Sequence, residues 1–191
     1  MENKNTIIVN LFAGPGAGKS TGAAYVFAKL KLAGIDCEYV SEFAKDKVWE
    51  NNSEVFKNQF YITGKQSFKI SRCFGKVDVI ITDSPIALGA LYARDDQPML
   101  KAASLEDFEK YHCNNFNFVI NRVKPYNPNG RNQTENEAKE IDGNTTKFLE
   151  SHEIPFVVVD GNEKGYDEIV RIVKDGLKFD YKKNHPLLHN I

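Results

Sequence analysis

Residues 6–21 constrain this chain more than any other stretch. Ile7, Ile8, Val9, Leu11 and Phe12 form a short apolar run, rich in branched side chains and ended by glycines. Such a run predicts a central strand of a parallel sheet, covered on both faces. Gly14-Pro15-Gly16-Ala17-Gly18-Lys19-Ser20-Thr21 follows it. Three glycines let the backbone curl with its amide hydrogens pointing inward, and such a concavity is an anion site. A helix starting at the base of the curl adds its N-terminal dipole to the same preference. In this arrangement Lys19 reaches the outer phosphates of a nucleoside triphosphate, and Ser20 offers its hydroxyl to a magnesium ion.

These residues resemble the phosphate-binding loop of the P-loop kinase superfamily. Ala13 stands where the pattern G-x-x-x-x-G-K-[ST] has glycine. Alanine fits there if the backbone keeps a negative φ, since only a methyl group has to be accommodated.

A chain of 191 residues suits one domain (1–191), long enough for a single sizeable core. The formal net charge of −1 exerts no general pull towards nucleic acid or anionic membrane. Polar residues Met1–Asn5 lead straight into the first strand, and no apolar run reaches membrane-span length. A cytoplasmic location without a signal peptide is therefore expected. Cys37, Cys73 and Cys113 are odd in number and far apart, which predicts reduced thiols rather than a metal or redox centre.

Helical and strand periodicities alternate along the chain. A helix is expected over about 18–32, a strand over 36–41, and a long helix over 54–74 with Ser53 as its N-cap. Further strands are expected at 77–82, 115–121 and 155–159, and helices at 86–93, 104–112, 135–152 and 164–177. The tail from 178 reads as irregular. This order predicts an α/β fold, a five-stranded parallel sheet with helices on both faces. Ligands of such sheets gather at the carboxyl ends of the strands, which is where Glu42 and Asp83 fall. On the long helix, Gln59 and Gln66 share a stripe with Val55, Ile62, Ile70 and Cys73. Their amides either face water or meet a substrate's base or carboxamide. Trp49 reads equally as core or as a stacking wall.

Together these features are similar to the small-kinase branch of the P-loop superfamily, which includes deoxynucleoside, ribosylnicotinamide and nucleotide kinases and small kinase-like proteins of phage genomes. The resemblance implies a phosphotransferase using ATP and Mg2+ on a small-molecule acceptor, a nucleoside, nucleotide or related metabolite. It implies Asp83 and Ser20 as magnesium ligands and Glu42 as the group that accepts the acceptor hydroxyl's proton. It also implies a lid over about 122–134, rich in Pro, Asn and Gly, whose Arg122 and Arg131 close on the triphosphate. The arginine that deoxynucleoside kinases carry after the third strand is absent, and Asp83-Ser84-Pro85 stands there instead. Two other readings remain: a polynucleotide or modified-base DNA kinase, which needs a basic groove, and a regulatory P-loop ATPase, which needs neither Glu42 nor a lid. A homodimer is left open.

Overall fold

In a computed structural model, residues 4–127 and 134–184 are described, and the side chains only to Lys178. The central strand β1 (Ile7–Phe12) lies between β3 (Val79–Thr82) and β4 (Asn115–Asn121), with β2 (Cys37–Val40) and β5 (Val157–Asp160) outside them. The order is β2-β3-β1-β4-β5 and every pairing is parallel. Residue β1-Ile7 pairs with Val79 and Phe12 with Val119, so the strands that carry Asp83 and Arg122 end beside the glycine-rich curl.

The two-residue period of a strand decides which layer each side chain joins. Ile7, Val9 and Leu11 point to one face, with Val79, Ile81, Phe118 and Ile120. That face is covered by α1 (Lys19–Leu32) through Ala23, Val26 and Leu30, and by α7 (Glu163–Asn184) through Tyr166, Ile169 and Val173. Ile8 and Phe12 point to the other face, with Ile80 and Val119. There α3 (Gln59–Ser71) contributes Ile70, α5 (Pro98–Glu109) Phe108, and α6 (Glu135–Ser151) Leu149. Asn10 belongs to this second face and is buried, yet its amide donates to Asn115 Oδ1 at 2.9 Å and Asn117 Oδ1 at 3.0 Å. Buried amides are stable only when paired in this way.

Several sequence expectations need correction. The residues after the second strand, to which the periodicity assigns no element, form a short helix, α2 (Phe43–Trp49). The expected helix over 54–74 is broken. Ser53–Lys57 is a 3-10 turn, and α3 begins after Asn58, whose Oδ1 accepts the Tyr61 amide at 3.1 Å. Asn58 therefore caps the helix, and Ser53 does not. Another short helix, α4 (Leu88–Tyr92), lies inside the expected 86–93. The start of α5 is Pro98, well before 104, because a proline at the first helical position removes an amide that would have had no partner. Helix α7 continues through Asn184, so 178–184 is helical and not irregular. At the expected lid, 122–127 has no regular structure. The rest of that segment, 128–133 with Arg131, lies outside the described residues.

The turn after β5 shows how closely the layers approach the curl. A Cβ on Gly161 would fall 2.5 Å from the Ala17 carbonyl oxygen and 3.1 Å from that of Asn121, both backbone atoms that cannot swing away. Gly161→Ala is therefore expected to cost about 1–3 kcal/mol by overpacking. Differential scanning calorimetry should read this as a fall in Tm of roughly 2–12 °C for a chain of this size.

Candidate functional site

The curl after β1 is closed by two left-handed glycines, Gly16 at φ 79° and Gly18 at φ 114°. No side-chain-bearing residue takes that backbone cheaply. Ala13 is not among the residues with positive φ, so the alanine at the glycine position of the pattern is unstrained. Gly14 is a glycine for a different reason. A Cβ there would lie 2.3 Å from the Ala138 carbonyl oxygen, where α6 passes across the loop.

The carbonyls of the curl are held by side chains of the loop itself, the end of β4 and α7. Lys19 Nζ donates to Ala13 O at 2.7 Å and Gly14 O at 3.1 Å. Arg122 Nη2 donates to Pro15 O at 2.8 Å, and Tyr166 OH to Gly18 O at 3.0 Å. With Pro15 lacking an N–H, the amides left to face a ligand are those from Gly16 onwards. The Gly14 amide is taken by Asp142 Oδ1 at 2.6 Å. Asp142 Oδ2 also accepts from Arg122 Nε at 2.8 Å, so one α6 carboxylate joins the curl to the residue after β4. Asp142 was not anticipated. Its signal was available, since it falls four residues after Ala138 on the inward face of an amphipathic helix, where a carboxylate needs a partner.

The side chain of Arg122 is 9 % exposed. Its Nη1 is buried and has no partner among the described residues. A Cβ on Gly16 would meet that same nitrogen at 3.2 Å. An unpaired cationic donor thus lies at the mouth of a cup of amides, which is the donor set that phosphate oxygens satisfy. The residues fit a nucleotide's phosphates.

Asp83 is 3 % exposed. Its Oδ1 accepts the Glu42 amide at 3.0 Å and its Oδ2 the Tyr39 hydroxyl at 2.9 Å, which couples the ends of β2 and β3. Burial, with the Asp83 charge added, raises the Tyr39 hydroxyl well above its ordinary pKa, so it stays a donor. A carboxylate has about four acceptor directions, and two remain on Asp83 for a cation. Among the described residues no group of three or more His, Cys, Asp or Glu is placed to hold a metal. A cation here would therefore take one or two protein oxygens and complete its shell from phosphate and water, as magnesium does.

Lys19, Glu42 and Asp83 line one cavity of about 670 Å³. Desolvation depresses the Lys19 ammonium, opposed by the charges of Glu42, Asp83 and Asp142. Desolvation raises the Glu42 carboxyl above the usual glutamate value; Lys19 opposes that shift and Asp83 adds to it. Burial, then the charges of Glu42 and Asp142, push the Tyr92 hydroxyl up to about 12. Ser20 and Thr21 also line the cavity. Beyond the curl it runs on between α2, α3 and α4, where Trp49, Phe56, Gln59, Thr63 and Tyr92 form the walls. Trp49 is 66 % exposed, so it is rim and not core. Gln66 is buried, and both ends of its amide are engaged: Oε1 accepts the Phe43 amide at 3.0 Å and Nε2 donates to Thr82 Oγ1 at 3.3 Å.

No curated protein matches this chain. Among solved structures, the chain is similar to one described as the crystal structure of NadR protein in complex with NR. The TM-score is 0.65 and the identity 14 %, over 89 % of this chain and 51 % of that one. The chain thus spans about half the length of that protein, and the likeness bears on the fold. The model of a family described as "AAA domain" matches residues 8–164. The match runs from the central strand past β5, with the amide cup at its head, and the chain belongs to this AAA-domain family of P-loop NTPases.

Proposed function

We propose that the protein is an ATP-dependent phosphotransferase whose acceptor is a hydroxyl of a nucleoside, nucleotide or related small metabolite. One observation carries the reading: the cavity does not stop at the amide cup. The same cavity is also walled by Trp49, Phe56, Gln59 and Tyr92, room that a nucleotide hydrolase acting as a switch does not need. The rings and the half-buried amide suit a planar heterocycle with polar edges. The NadR structure, in complex with NR, gives the same fold a small ligand.

The roles follow from position. The amides from Gly16 to Thr21, with Lys19, would hold the β- and γ-phosphates. Lys19 would leave Ala13 O and Gly14 O to do so. Ser20 and Asp83 would hold magnesium, which supplies neutralisation of the phosphate oxygens. Glu42 would orient the acceptor hydroxyl and take its proton, its raised pKa bringing it nearer to a hydroxyl's needs. Arg122 Nη1 would bond the transferring group as charge develops there. Gln66 would act from behind, setting α2 through the Phe43 amide, while Gln59 faces the acceptor. A part for Arg131 rests on sequence alone.

The test is labelled ATP against a panel of nucleosides, nucleoside monophosphates and oligonucleotides, with transfer to one acceptor expected. Hydrolysis without transfer to any of them would overturn the reading. Lys19→Ala should lower transfer by on the order of 10²–10³, as loss of one preorganised donor does. Steady-state kinetics with an unchanged kcat/KM would remove Lys19 from the mechanism.

Glu42→Gln is expected to lower kcat by roughly 10²–10⁴ and to abolish the acid limb of the pH–rate profile. In the wild type that limb should lie above 4.5, because protonation of a carboxyl with a raised pKa sets in at higher pH. Stability moves the other way. A carboxyl whose folded pKa is raised favours the fold below its unfolded value and loses that contribution as pH climbs through the folded one. Glu42→Gln should therefore raise Tm at pH 7 and leave it nearly unchanged at pH 4, which thermal scans at the two pH values will decide.

A further inference from the structure

Residues 55–77 contain Lys57, Lys65, Lys69, Arg72 and Lys76 and not one Asp or Glu, in a chain whose net charge is −1. Helix α3 occupies most of this segment. Its inward face is Ile62, Gln66 and Ile70. At 3.6 residues per turn, Phe60, Tyr61, Gly64, Lys65, Phe68 and Arg72 fall on the opposite side. Three large rings stand in solvent there: Phe60 is 51 % exposed, Tyr61 42 % and Phe68 63 %. Single exposed rings are ordinary, but three on one helix face are not.

The cations of this face are free to act. Lys65 lies 5.4 Å from the Tyr61 ring centroid, and neither it nor Arg72 nor Lys76 has an ion pair among the described residues. Two carboxylates on adjoining elements are already neutralised, Glu54 by Lys57 at 2.7 Å and Asp107 by Lys110. Lys69 is tied to the Ser41 carbonyl and hydroxyl and is not counted. Gly64 separates Phe60 from Phe68, with nothing within 4 Å of where its Cβ would be. Along the axis those two rings are about 12 Å apart. The result is a gap between two stacking surfaces, flanked by unneutralised positive charge.

We propose that this outer face of α3 binds single-stranded nucleic acid. Bases would stack on Phe60 and Phe68 and phosphates would meet Lys65 and Arg72, the combination by which sequence-tolerant strand binders work. A second copy of this chain fits the face poorly, since a two-fold contact centred on Gly64 would set Lys65 against Lys65 with no carboxylate between them. Helix α3 starts at Gln59, which lines the cavity, so a strand on this face would reach the proposed acceptor chamber. The suggestion that its terminal nucleotide is the acceptor rests on the phosphotransferase reading; the binding surface does not.

The experiment is fluorescence anisotropy with a labelled oligothymidylate of about 12 nucleotides. Binding should weaken with salt, with a log–log slope of about −1.4 to −2.1 for two to three phosphate contacts. Phe68→Ala should weaken it roughly tenfold or more, and Arg72→Glu should weaken it and flatten the slope. Both positions are exposed, and unchanged Tm values would certify folding of each variant. No binding at low salt, or binding indifferent to both substitutions, overturns the proposal. So does equal competition by polyglutamate with the same dependence on Phe68, which would indicate an acidic protein partner. A dimer in light scattering that Phe68→Ala dissociates, without strand binding, also overturns it in favour of self-association. No turnover is measured, so a strand-binding protein that fails to transfer phosphate and a kinase that ignores strands are distinct results.

Discussion

The site depends on keeping the carbonyls of Ala13, Gly14, Pro15 and Gly18 turned away from the anion. A curl can aim its amides at an anion only if its oxygens find donors elsewhere, because buried peptide groups do not go unpaired. Here Lys19, Arg122 and Tyr166 supply those donors from the loop itself, the end of β4 and α7. Asp142 holds the one early amide that faces away and fixes Arg122 in the same contact. The cup is thus assembled by elements more than a hundred residues apart. Its shape is a property of the packed layers, not of the loop alone.

The same packing sets the electrostatics. Lys19, Glu42 and Asp83 share a cavity in which both the ammonium and the Glu42 carboxyl are moved from their usual values by desolvation, each toward its neutral form, while their attraction opposes both shifts. Titratable groups moved from their ordinary values by burial beside one another cluster at functional sites. Such a cluster costs stability, and the strongly paired network around Asp83 offsets part of that cost. Electrostatic attraction for larger ligands is separate from this cluster. It lies on the outside of α3, where positive charge is segregated although the whole chain is nearly neutral.

Much of the fold is legible in the residues. Strand β4 and helix α6 have close to the spans that their patterns predict, β4 as a short apolar run buried on both faces and α6 as an amphipathic helix opened by the Thr134–Glu137 capping box. The segment 43–58 is not legible in the same way. Its short helix buries none of its residues, so no apolar stripe marks it, and the true cap at Asn58 is hidden inside a longer helical pattern. Of the site, the cup and the two strand-end acids can be read because glycine, lysine and carboxylate at those places have specific uses. Tyr39 and Tyr92 cannot, because each acts through a neighbour distant in sequence, and for Asp142 the helix face shows only that a partner is needed, not that the partners are Gly14 and Arg122.

Sequence by itself determined the α/β layering and the position of the anion cup, because strand and helix periods and the strained backbone of Gly16 and Gly18 are local properties. Only the tertiary structure decided what the cup faces. Parallel pairing of β1 with both β3 and β4 brings Asp83 and Arg122 to its two sides. The passage of α6 over Gly14 adds Asp142, and residues of α2, α3 and α4 wall the rest of the cavity. Those outcomes follow from how layers pack across long loops, where contacts between remote residues are made together and no short stretch of chain encodes them.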